Sequence, residues 1–488
     1  MESSSSLSFL LTIPLVAAVL SVMVPKPVQR VYSIFASVLF LALSVYEAAG
    51  ILFCRTLHDA QAFAVEHKLA WIPELGLSLS LRLDSVSAWF VVLNALTAVI
   101  AFSTRGSWNR KSPGLFTALG FFLVFALNAA FLSQDLIAFY LAYEAVFIPM
   151  IFMVGIWGTR QKAASVFRFF LMSFLGSVLM LVSIFFLMNL VSATGAAPTS
   201  YLPDLLKVSN LLDHARARWV FAGFFLAFAI KVPLVPFHGW LRDVYVNAPM
   251  PGTIWMSAIL SKLGVFGMIR FVMPLFQSVV IRDQGILLGI AAVSVVYAAL
   301  LAIRSSRPKT LLACSSISHL GFVMLGVFSG KLSGAAGAVL LSAGHTVVSG
   351  LLFFLLGEIE ERHEDPSLAA APLGLAGAHP RLFTFLFVAV LAGVSLPGTM
   401  NFAGEFVVLL SSWPVSAAWT AVAAAGVVLG AVYMLRFYQQ LGFGERAPAH
   451  APQAAPGDLN GFALVLSVFL LGLVILGGFQ TAVFLKGN

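Results

Sequence analysis

Residues 228–238 read Phe-Ala-Ile-Lys-Val-Pro-Leu-Val-Pro-Phe-His, and they end an apolar stretch that begins near residue 217. Proline lacks a backbone N–H and clashes with the preceding helical turn, so Pro233 and Pro236 predict a helix that breaks in its second half. Freed backbone groups are not tolerated against lipid, and Lys231 stands just before the break. We therefore expect this break to face protein or a water-filled cavity.

A second stretch of the same character lies at residues 395–405, which read Ser-Leu-Pro-Gly-Thr-Met-Asn-Phe-Ala-Gly-Glu. Here Pro397 and Gly398 interrupt an apolar helix, and Glu405 follows the interruption. Two interrupted helices in corresponding positions are typical of transporters that are built from internal repeats. The alternative for each is a proline kink that faces lipid, and the charge beside each break argues against it.

The whole chain is far more apolar than a soluble protein. Of its 488 residues, 60% are hydrophobic and 10% are charged, against about 45–50% and about 25% in soluble globular chains. A helix needs about 20 mostly apolar residues to cross a membrane, and the sequence contains about fourteen such stretches. We predict an all-α polytopic membrane protein whose helices start near residues 7, 31, 84, 115, 134, 165, 217, 253, 284, 310, 335, 383, 415 and 462.

The basic residues lie mainly in alternate loops. Within the first ten predicted helices these loops contain no acidic residue, apart from a neutral loop with Arg242 and Asp243, whereas the intervening loops, such as residues 55–82, mix both signs. By the positive-inside rule the basic loops face the cytoplasm or matrix. The loop after helix 11, with five acidic residues between Glu358 and Asp365, is an exception. The basic set comprises Lys26, Arg30, Arg105, Arg110, Lys111, Arg160, Lys162, Arg168, Arg304, Arg307 and Lys309.

A few ionisable side chains lie inside the predicted helices. Such charges cost about 2.5–3.5 kcal/mol each and usually mark ion or proton pathways. Removal from water makes lysine and glutamate easier to neutralise, so each can exchange a proton near neutral pH, and histidine can relay between them. The candidate carriers are Glu144, Lys231, Lys262, His319, His345 and Glu405.

Structural roles are the alternative for several of these residues. Either lysine can be the partner in a structural ion pair, and either histidine can be satisfied by neighbouring hydroxyl groups. Asp135, at the start of helix 5, is expected to cap that helix.

Cys54 and Cys314 suggest neither a disulfide framework nor a metal site. We expect no cofactor and no metal ion, and the loop location of the basic residues argues against nucleic acid as a partner.

Several motifs, in the order in which they occur here, resemble those of the antiporter-like subunits of respiratory complex I, most closely the chain M or subunit 4 family. The resemblance extends from about residue 71 to residue 436, and more loosely beyond. Glu405 favours chain M, because chains L and N usually have lysine there. The motifs are Tyr143-Glu144 with Pro149 and Trp157-Gly158; residues 231–241; Ala248-Pro-Met-Pro; Lys262-Leu-Gly; residues 314–321 (Cys-Ser-Ser-Ile-Ser-His-Leu-Gly); His345 with Gly350; and residues 396–405.

The resemblance implies two inverted five-helix repeats, helices 4–8 and 9–13, with discontinuous helices 7 and 12. The chain then divides into an N-terminal three-helix segment (1–110), a first proton-channel repeat (111–275), a second proton-channel repeat (276–440) and a C-terminal helix (441–488). The roles that it implies are a coupling pair for Glu144 and Lys231, a central carrier for Lys262, relays for His319 and His345, and an exit-side carrier for Glu405.

The predicted function is that of a proton-translocating membrane-arm subunit of an NADH:quinone oxidoreductase, driven by redox energy from neighbouring subunits. The expected partners are chain L-like and chain N-like subunits, membrane lipids and protons. The alternatives are a related component of a multi-subunit Na⁺/H⁺ antiporter or of a membrane-bound hydrogenase complex; an independent solute transporter and a passive scaffold rank below them. The lack of an evident transit peptide favours a bacterial plasma membrane over the mitochondrial inner membrane.

Overall fold

The computed structural model describes residues 3–52, 64–105, 111–159, 161–193, 195, 197–209, 213–363, 373–444 and 457–485, so that Cys54, Arg110, Arg160 and Asp365 lie outside it. Most of these residues are helical. The helices are Ser3–Met23, Gln29–Leu52, Ser85–Ser103, Pro113–Leu132, Leu136–Ala145, Phe147–Trp157, Lys162–Ala193, Leu202–Ser209, His214–Lys231, Gly239–Asn247, Met250–Leu275, Gln277–Arg282, Gln284–Arg304, Pro308–Phe328, Leu332–Glu360, Pro380–Gly393, Met400–Ser412, Ala417–Gly442 and Gly461–Leu485.

The predicted all-α polytopic architecture is confirmed. Within the described residues, 11 helices are long and apolar enough to cross a membrane. Three shorter apolar helices, Leu7–Met23, Pro380–Gly393 and Met400–Ser412, accompany them. The count of fourteen spans, the inverted symmetry of the repeats and the division into four segments stay predictions.

Both predicted helix breaks are present. The helix His214–Lys231 ends at the lysine, and the chain becomes helical again at Gly239–Asn247. Two backbone groups at the break are bonded within the protein: Val235 N–H donates to Ser294 Oγ at 3.0 Å, and Ile230 O accepts the Trp240 Nε1–H at 3.0 Å. These bonds agree with the requirement that a break at membrane depth must not face lipid.

The second break separates Pro380–Gly393 from Met400–Ser412. Thr399 begins the second half as an N-cap, since its hydroxyl oxygen accepts the Phe402 N–H at 3.4 Å. A threonine cap satisfies one of the donors that a helix start leaves without an intrahelical partner. The short helix that carries Glu405 therefore has its own start at the break.

Residues 65–83 form a β-hairpin, in a segment that was predicted to be a loop. Strand β1 (Val65–Ile72) pairs antiparallel with β2 (Leu77–Leu83), with Val65 opposite Leu83. The signal for β2 is in the sequence, because leucines at 77, 79, 81 and 83 alternate with Ser78, Ser80 and Arg82. Strict alternation over this length predicts a strand.

Asp135 ties the hairpin to the helical bundle. Its Oδ1 accepts the N–H groups of Ile137 and Ala138 and so caps the helix that follows, as predicted. Its Oδ2 accepts the Ser78 N–H at 3.1 Å, the Ser78 Oγ–H at 3.0 Å and the Ser200 Oγ–H at 2.6 Å. One buried carboxylate thus joins β2, a helix start and the loop near residue 200.

The hairpin ends at a second carboxylate, Asp84, which Arg270 binds with two nitrogens, each at 2.6 Å. Burial alone would raise the pKa of Asp84, but the charge and hydrogen bonds of Arg270, together with the Ser87 N–H, lower that pKa below its usual range. A carboxyl group with a lowered pKa stabilises the fold above about pH 4, its unfolded value, and that contribution is lost as the pH falls through the folded pKa.

We expect Asp84→Asn to reduce the free energy of unfolding by about 3 kcal/mol, because asparagine still caps the helix but leaves Arg270 without its anion. Thermal denaturation of the detergent-purified protein would measure this, and the gap from wild type should stay constant down to about pH 4 and narrow as the pH is lowered further. Asp204→Asn, at the exposed pair with Lys207, is the matched control and should change stability by less than about 1 kcal/mol. Equal effects at the two sites would contradict the prediction.

The acidic residues after Leu332–Glu360, and those at its end, depart from the basic pattern of the loops on that side, and two of them form ion pairs with basic residues. Arg105 Nε lies 3.5 Å from Glu358 Oε2, and Arg362 approaches the same oxygen at 2.9 Å. Lys309 Nζ lies 2.9 Å from Glu360 Oε2. The acidic loop therefore lies beside basic loops that the positive-inside rule assigns to the same side of the membrane.

Two helices lie at the centre of the molecule. An 18-residue apolar stretch of Pro308–Phe328 is 100% buried, and the corresponding stretch of Leu332–Glu360 is 94% buried. In the outer helices Lys26–Leu52, Ala417–Gly442 and Lys162–Ala193, only 28%, 33% and 39% of such a stretch is buried. The outer helices expose large apolar side chains and enclose the central two. His319 and His345 are on these central helices.

Candidate functional site

Lys262 is at the centre of the candidate site. It lies in a seven-residue α-helical stretch, Ser261–Gly267, between two π-helical turns, Met256–Leu260 and Met268–Val272. Such π-turns inside helices are frequent at functional sites. Lys262 is fully buried, and its ammonium group donates to Ser257 O at 2.5 Å.

The second contact of Lys262 begins a chain of titratable groups. Its Nζ lies 2.7 Å from His345 Nδ1, and the rings of His345 and His319 have centroids 5.4 Å apart. At the far end, His319 Nδ1 lies 3.1 Å from Glu405 Oε1. All four residues are buried. Four of the six predicted carriers therefore lie in one row, from Lys262 in the helix Met250–Leu275 to Glu405 in the helix Met400–Ser412.

A small cavity lies beside the two histidines, with space for about one water molecule. Besides His319 and His345, its lining includes Ser349 and Asn401. Both atoms of the Asn401 amide and the Ser349 hydroxyl have no hydrogen-bond partner among the described residues, although they are buried. Buried polar groups of this kind are normally satisfied by protein or ordered water, so the cavity presents donors and acceptors next to both rings.

Glycine lets the broken helix approach the central one. A Cβ at Gly404 would lie 2.7 Å from the Leu341 Cα, and one at Gly344 would collide with the Asn401 amide oxygen. Because these glycines flank Glu405 and His345 in sequence, the close approach brings the carboxylate and the cavity together. A larger residue at Gly404 would separate the two helices.

The other predicted lysine, Lys231, has different surroundings. It is fully buried, and its Nζ lies 3.6 Å from the centroid of the Phe147 ring, 4.7 Å from that of Tyr143 and 6.0 Å from that of Phe169. The helix of Lys231 packs directly on that of Lys262, since a Cβ at Gly264 would lie 2.9 Å from Phe228 O. No hydrogen bond joins the two lysines within the described part of the chain.

Glu144 and Lys231 do not form a closed ion pair in this structure. Within the described ranges, no contact of 4 Å or less joins their charged atoms, and neither Glu144 Oε1 nor Lys231 Nζ has a hydrogen-bond partner. The two groups are close enough to interact electrostatically, and Ser177 lies beside the Glu144 carboxyl. Glu144 stands at the end of Leu136–Ala145, before the helix resumes at Phe147. Its role as a coupling partner stays a prediction.

Two parts of the site were missed at the sequence level. Asn401 lies within the motif that was quoted for residues 396–405, and a buried amide in an apolar helix is itself a sign of a polar path. The rings around Lys231 belong to an abundant class of residues in this apolar chain, and nothing in the sequence marks them as neighbours of a lysine. His238, at the end of the break after Lys231, is half-buried with its ring against Tyr297, at a centroid distance of 5.2 Å.

The chain has clear similarity to known proteins. Residues 133–431 match the family described as "NADH:quinone oxidoreductase/Mrp antiporter, TM". NADH-quinone oxidoreductase subunit M of Rickettsia felis is 32% identical over 424 residues, which are 86% of this chain and 84% of the relative. NADH-ubiquinone oxidoreductase chain 4 of Marchantia polymorpha is 30% identical over 97% of this chain and 93% of its own length.

A solved structure extends this similarity to the fold. A chain of respiratory complex I from Thermus thermophilus with bound NADH superimposes with a TM-score of 0.87 at 30% identity, covering 99% of this chain and 97% of that one. Nearly the full length of both chains is matched, so the likeness extends well beyond the motifs around the candidate carriers.

Proposed function

Since this chain belongs to the NADH:quinone oxidoreductase/Mrp antiporter transmembrane family, we propose that it carries protons across the membrane as the chain M-type subunit of an NADH:quinone oxidoreductase. In this proposal the chain is a non-redox part of the enzyme. Electrons move in other subunits, and this chain contributes lysine, histidine and carboxylate side chains, whose common chemistry is the exchange of a proton.

The observation that carries the proposal is the buried row Lys262, His345, His319 and Glu405. Its two direct contacts, 2.7 Å and 3.1 Å, are short enough for proton transfer between heavy atoms. Between the histidines, the cavity lined by Asn401 and Ser349 has space for about one water molecule. A proton can therefore pass from Lys262 to Glu405 by short steps without a side chain crossing the apolar interior.

The direction of transfer follows from the charges. A buried ammonium without a counter-ion is costly, so a protonated Lys262 favours release of its proton to His345 when that ring is neutral. Two protonated histidines and a charged Lys262 at these distances would repel one another, whereas the Glu405 carboxylate attracts the proton. Transfer towards Glu405 is therefore the favourable direction once Lys262 is loaded.

Glu144 and Lys231 supply the link to the driving force in this proposal. When the Glu144 carboxylate pairs with Lys231 the lysine keeps its proton, and when they separate the desolvated lysine releases it. Among the residues that the structure describes, no contact of 4 Å or less joins the charged atoms of Glu144 and Lys231, which is compatible with the state in which the two groups are separated. A redox-linked movement in a neighbouring subunit would change this pairing and so load or unload Lys262.

Neutralising this pair is expected to reduce coupled turnover. Glu144→Gln or Lys231→Met should lower proton translocation by the assembled enzyme by about tenfold, because neither variant can make and break the charge pair. NADH-driven acidification in proteoliposomes would measure the effect, with Glu74→Gln on the exposed turn of the hairpin as control. Unchanged translocation in both variants would remove the pair from the mechanism.

The partners follow from membership of such an enzyme. The family and the structural likeness imply other membrane-arm subunits beside this chain, and in our proposal these are chain L-like and chain N-like neighbours, in a bacterial plasma membrane. Gentle extraction followed by identification of every co-purifying chain tests this. Flavin and iron–sulfur subunits with NADH:quinone activity are expected; a set of small membrane chains without redox centres would instead indicate an antiporter, with the same carriers and a different driving force.

A further inference from the structure

Three aromatic rings surround the ammonium group of Lys231. The Phe147 ring is the nearest, with its centroid 3.6 Å from Nζ, and those of Tyr143 and Phe169 follow at 4.7 Å and 6.0 Å. All three rings are buried. The faces of aromatic rings carry partial negative charge, so a cation within about 6 Å of a centroid is attracted, most strongly where water is excluded.

These rings give the ammonium group a favourable electrostatic contact. Lys231 is fully buried, and within the described part of the chain its Nζ has neither a hydrogen-bond partner nor a carboxylate within 4 Å. A lysine of this kind would ordinarily be held by an anion or by backbone carbonyls. The attraction of the ring faces accounts for its position here.

The protein holds the rings firmly in place. Tyr143 Oη–H donates to Ala227 O at 3.1 Å, one helical turn before Lys231. Phe147 packs on Phe169 with centroids 5.2 Å apart. Phe169 in turn packs on Trp240, at 5.0 Å, whose indole N–H is bonded to the carbonyl next to Lys231.

We propose that Tyr143, Phe147 and Phe169 form an aromatic cage that holds the Lys231 ammonium group whenever it is not paired with Glu144. The proposal rests on the proposed function, in which Lys231 changes partners during turnover. The three rings are positioning residues, because they act through the lysine and do not themselves carry a proton.

Because of its location, the aromatic cage competes with the Glu144 carboxylate for the Lys231 ammonium group. Tyr143 directly precedes Glu144, and Phe147 begins the next helical segment after the interruption at Val146. Glu144 and two rings of the cage, the alternative partners of the Lys231 ammonium group, therefore lie on adjoining turns of the same chain segment. A small movement at the interruption would strengthen one partnership at the expense of the other, so the cage sets how readily the ion pair opens.

The test is stepwise fluorination of Phe147 in the assembled enzyme. Mono-, di- and trifluorophenylalanine withdraw charge from the ring face progressively and keep its shape nearly unchanged. We expect NADH-driven proton translocation to fall in the same order, to a cumulative loss of about tenfold with the trifluoro ring. Phe147→Leu should resemble the trifluoro variant, and Phe147→Trp, with a stronger ring face, should retain activity.

Phe121 is the matched control, since it is fully buried and packs on the rings of Phe102 and Tyr32. Its fluorination should leave translocation unchanged. An equal response at the two positions, or no response at Phe147, would overturn the cage.

Lys231→Met separates failure of the cage from failure of the proposed function. If this variant lowers translocation by about tenfold, as expected, and fluorination at Phe147 has no effect, then Lys231 remains a carrier and the cage is wrong. If Lys231→Met itself pumps normally, the assignment of Lys231 within the proposed function fails first.

Discussion

Replacing Lys262 with methionine is expected to abolish proton translocation, with a loss of about a hundredfold or more. Lys262 is fully buried and starts the row that ends at Glu405, and its Nζ is the atom in contact with His345. Methionine has a similar volume but no proton to exchange, so the row loses its first member while packing is largely kept. Proton uptake by reconstituted enzyme, normalised to the amount of assembled protein, measures the effect.

Replacing Lys262 with arginine distinguishes a proton carrier from a structural cation. Lys262→Arg keeps the positive charge but cannot release a proton, so it should fail as completely as methionine if Lys262 is a carrier. If Lys262 were only a structural cation, arginine would restore function and methionine would not. Lys331→Met, at an exposed helix start, is the control for lysine loss in general and should translocate protons normally.

The second large effect is expected for Glu405→Gln. The amide is nearly isosteric and can still contact His319, but it cannot accept a proton, so transfer should stop at the histidine and translocation should fall by about tenfold to a hundredfold. The change also tests the direction of transfer, because protons would be taken up by the row but not delivered from it. Single-turnover proton uptake and release, followed separately on the two sides of the vesicle, measure this.

A partly exposed carboxylate outside the row provides the comparison. Glu360→Gln removes the partner of Lys309 at the end of a helix and should leave translocation within about twofold of wild type. Normal proton release in Glu405→Gln would contradict an exit-side role for this carboxylate. Loss of assembly in Glu405→Gln but not in Glu360→Gln would instead assign Glu405 to stability.

The features that were correctly predicted from sequence depend on strong local physics. Two prolines three residues apart, at 233 and 236, remove helical hydrogen bonds and clash with the preceding turn, so the break after Lys231 was predictable from the sequence. The high cost of a charge in lipid likewise selected Lys262 and Glu405 before any geometry was known. The structure brings these two residues into one row with the histidines, because their helices pack at glycines.

The remaining features depend on the rotation of each helix about its axis, which an almost uniformly apolar sequence specifies poorly. Tyr143 and Phe169 lie among 44 phenylalanines and 9 tyrosines, and nothing in their spacing distinguishes rings around a cation from rings in contact with lipid. The open Glu144–Lys231 geometry is a matter of side-chain position within helices that were placed correctly. The hairpin is different, because the alternation at residues 77–83 was present in the sequence and was overlooked.

The enclosure of the two central helices has a consequence for the membrane around the protein. Acyl chains of a surrounding bilayer would contact the outer helices, whereas Pro308–Phe328 and nearly all of Leu332–Glu360, where both histidines lie, are covered by protein. Changes in acyl-chain length or fluidity, such as those that follow a change of growth temperature, are therefore expected to alter the packing of the outer helices against lipid and neighbouring subunits. The surroundings of the two histidines are expected to stay the same. If the two histidines relay protons as proposed, that relay is insulated from the composition of its own bilayer.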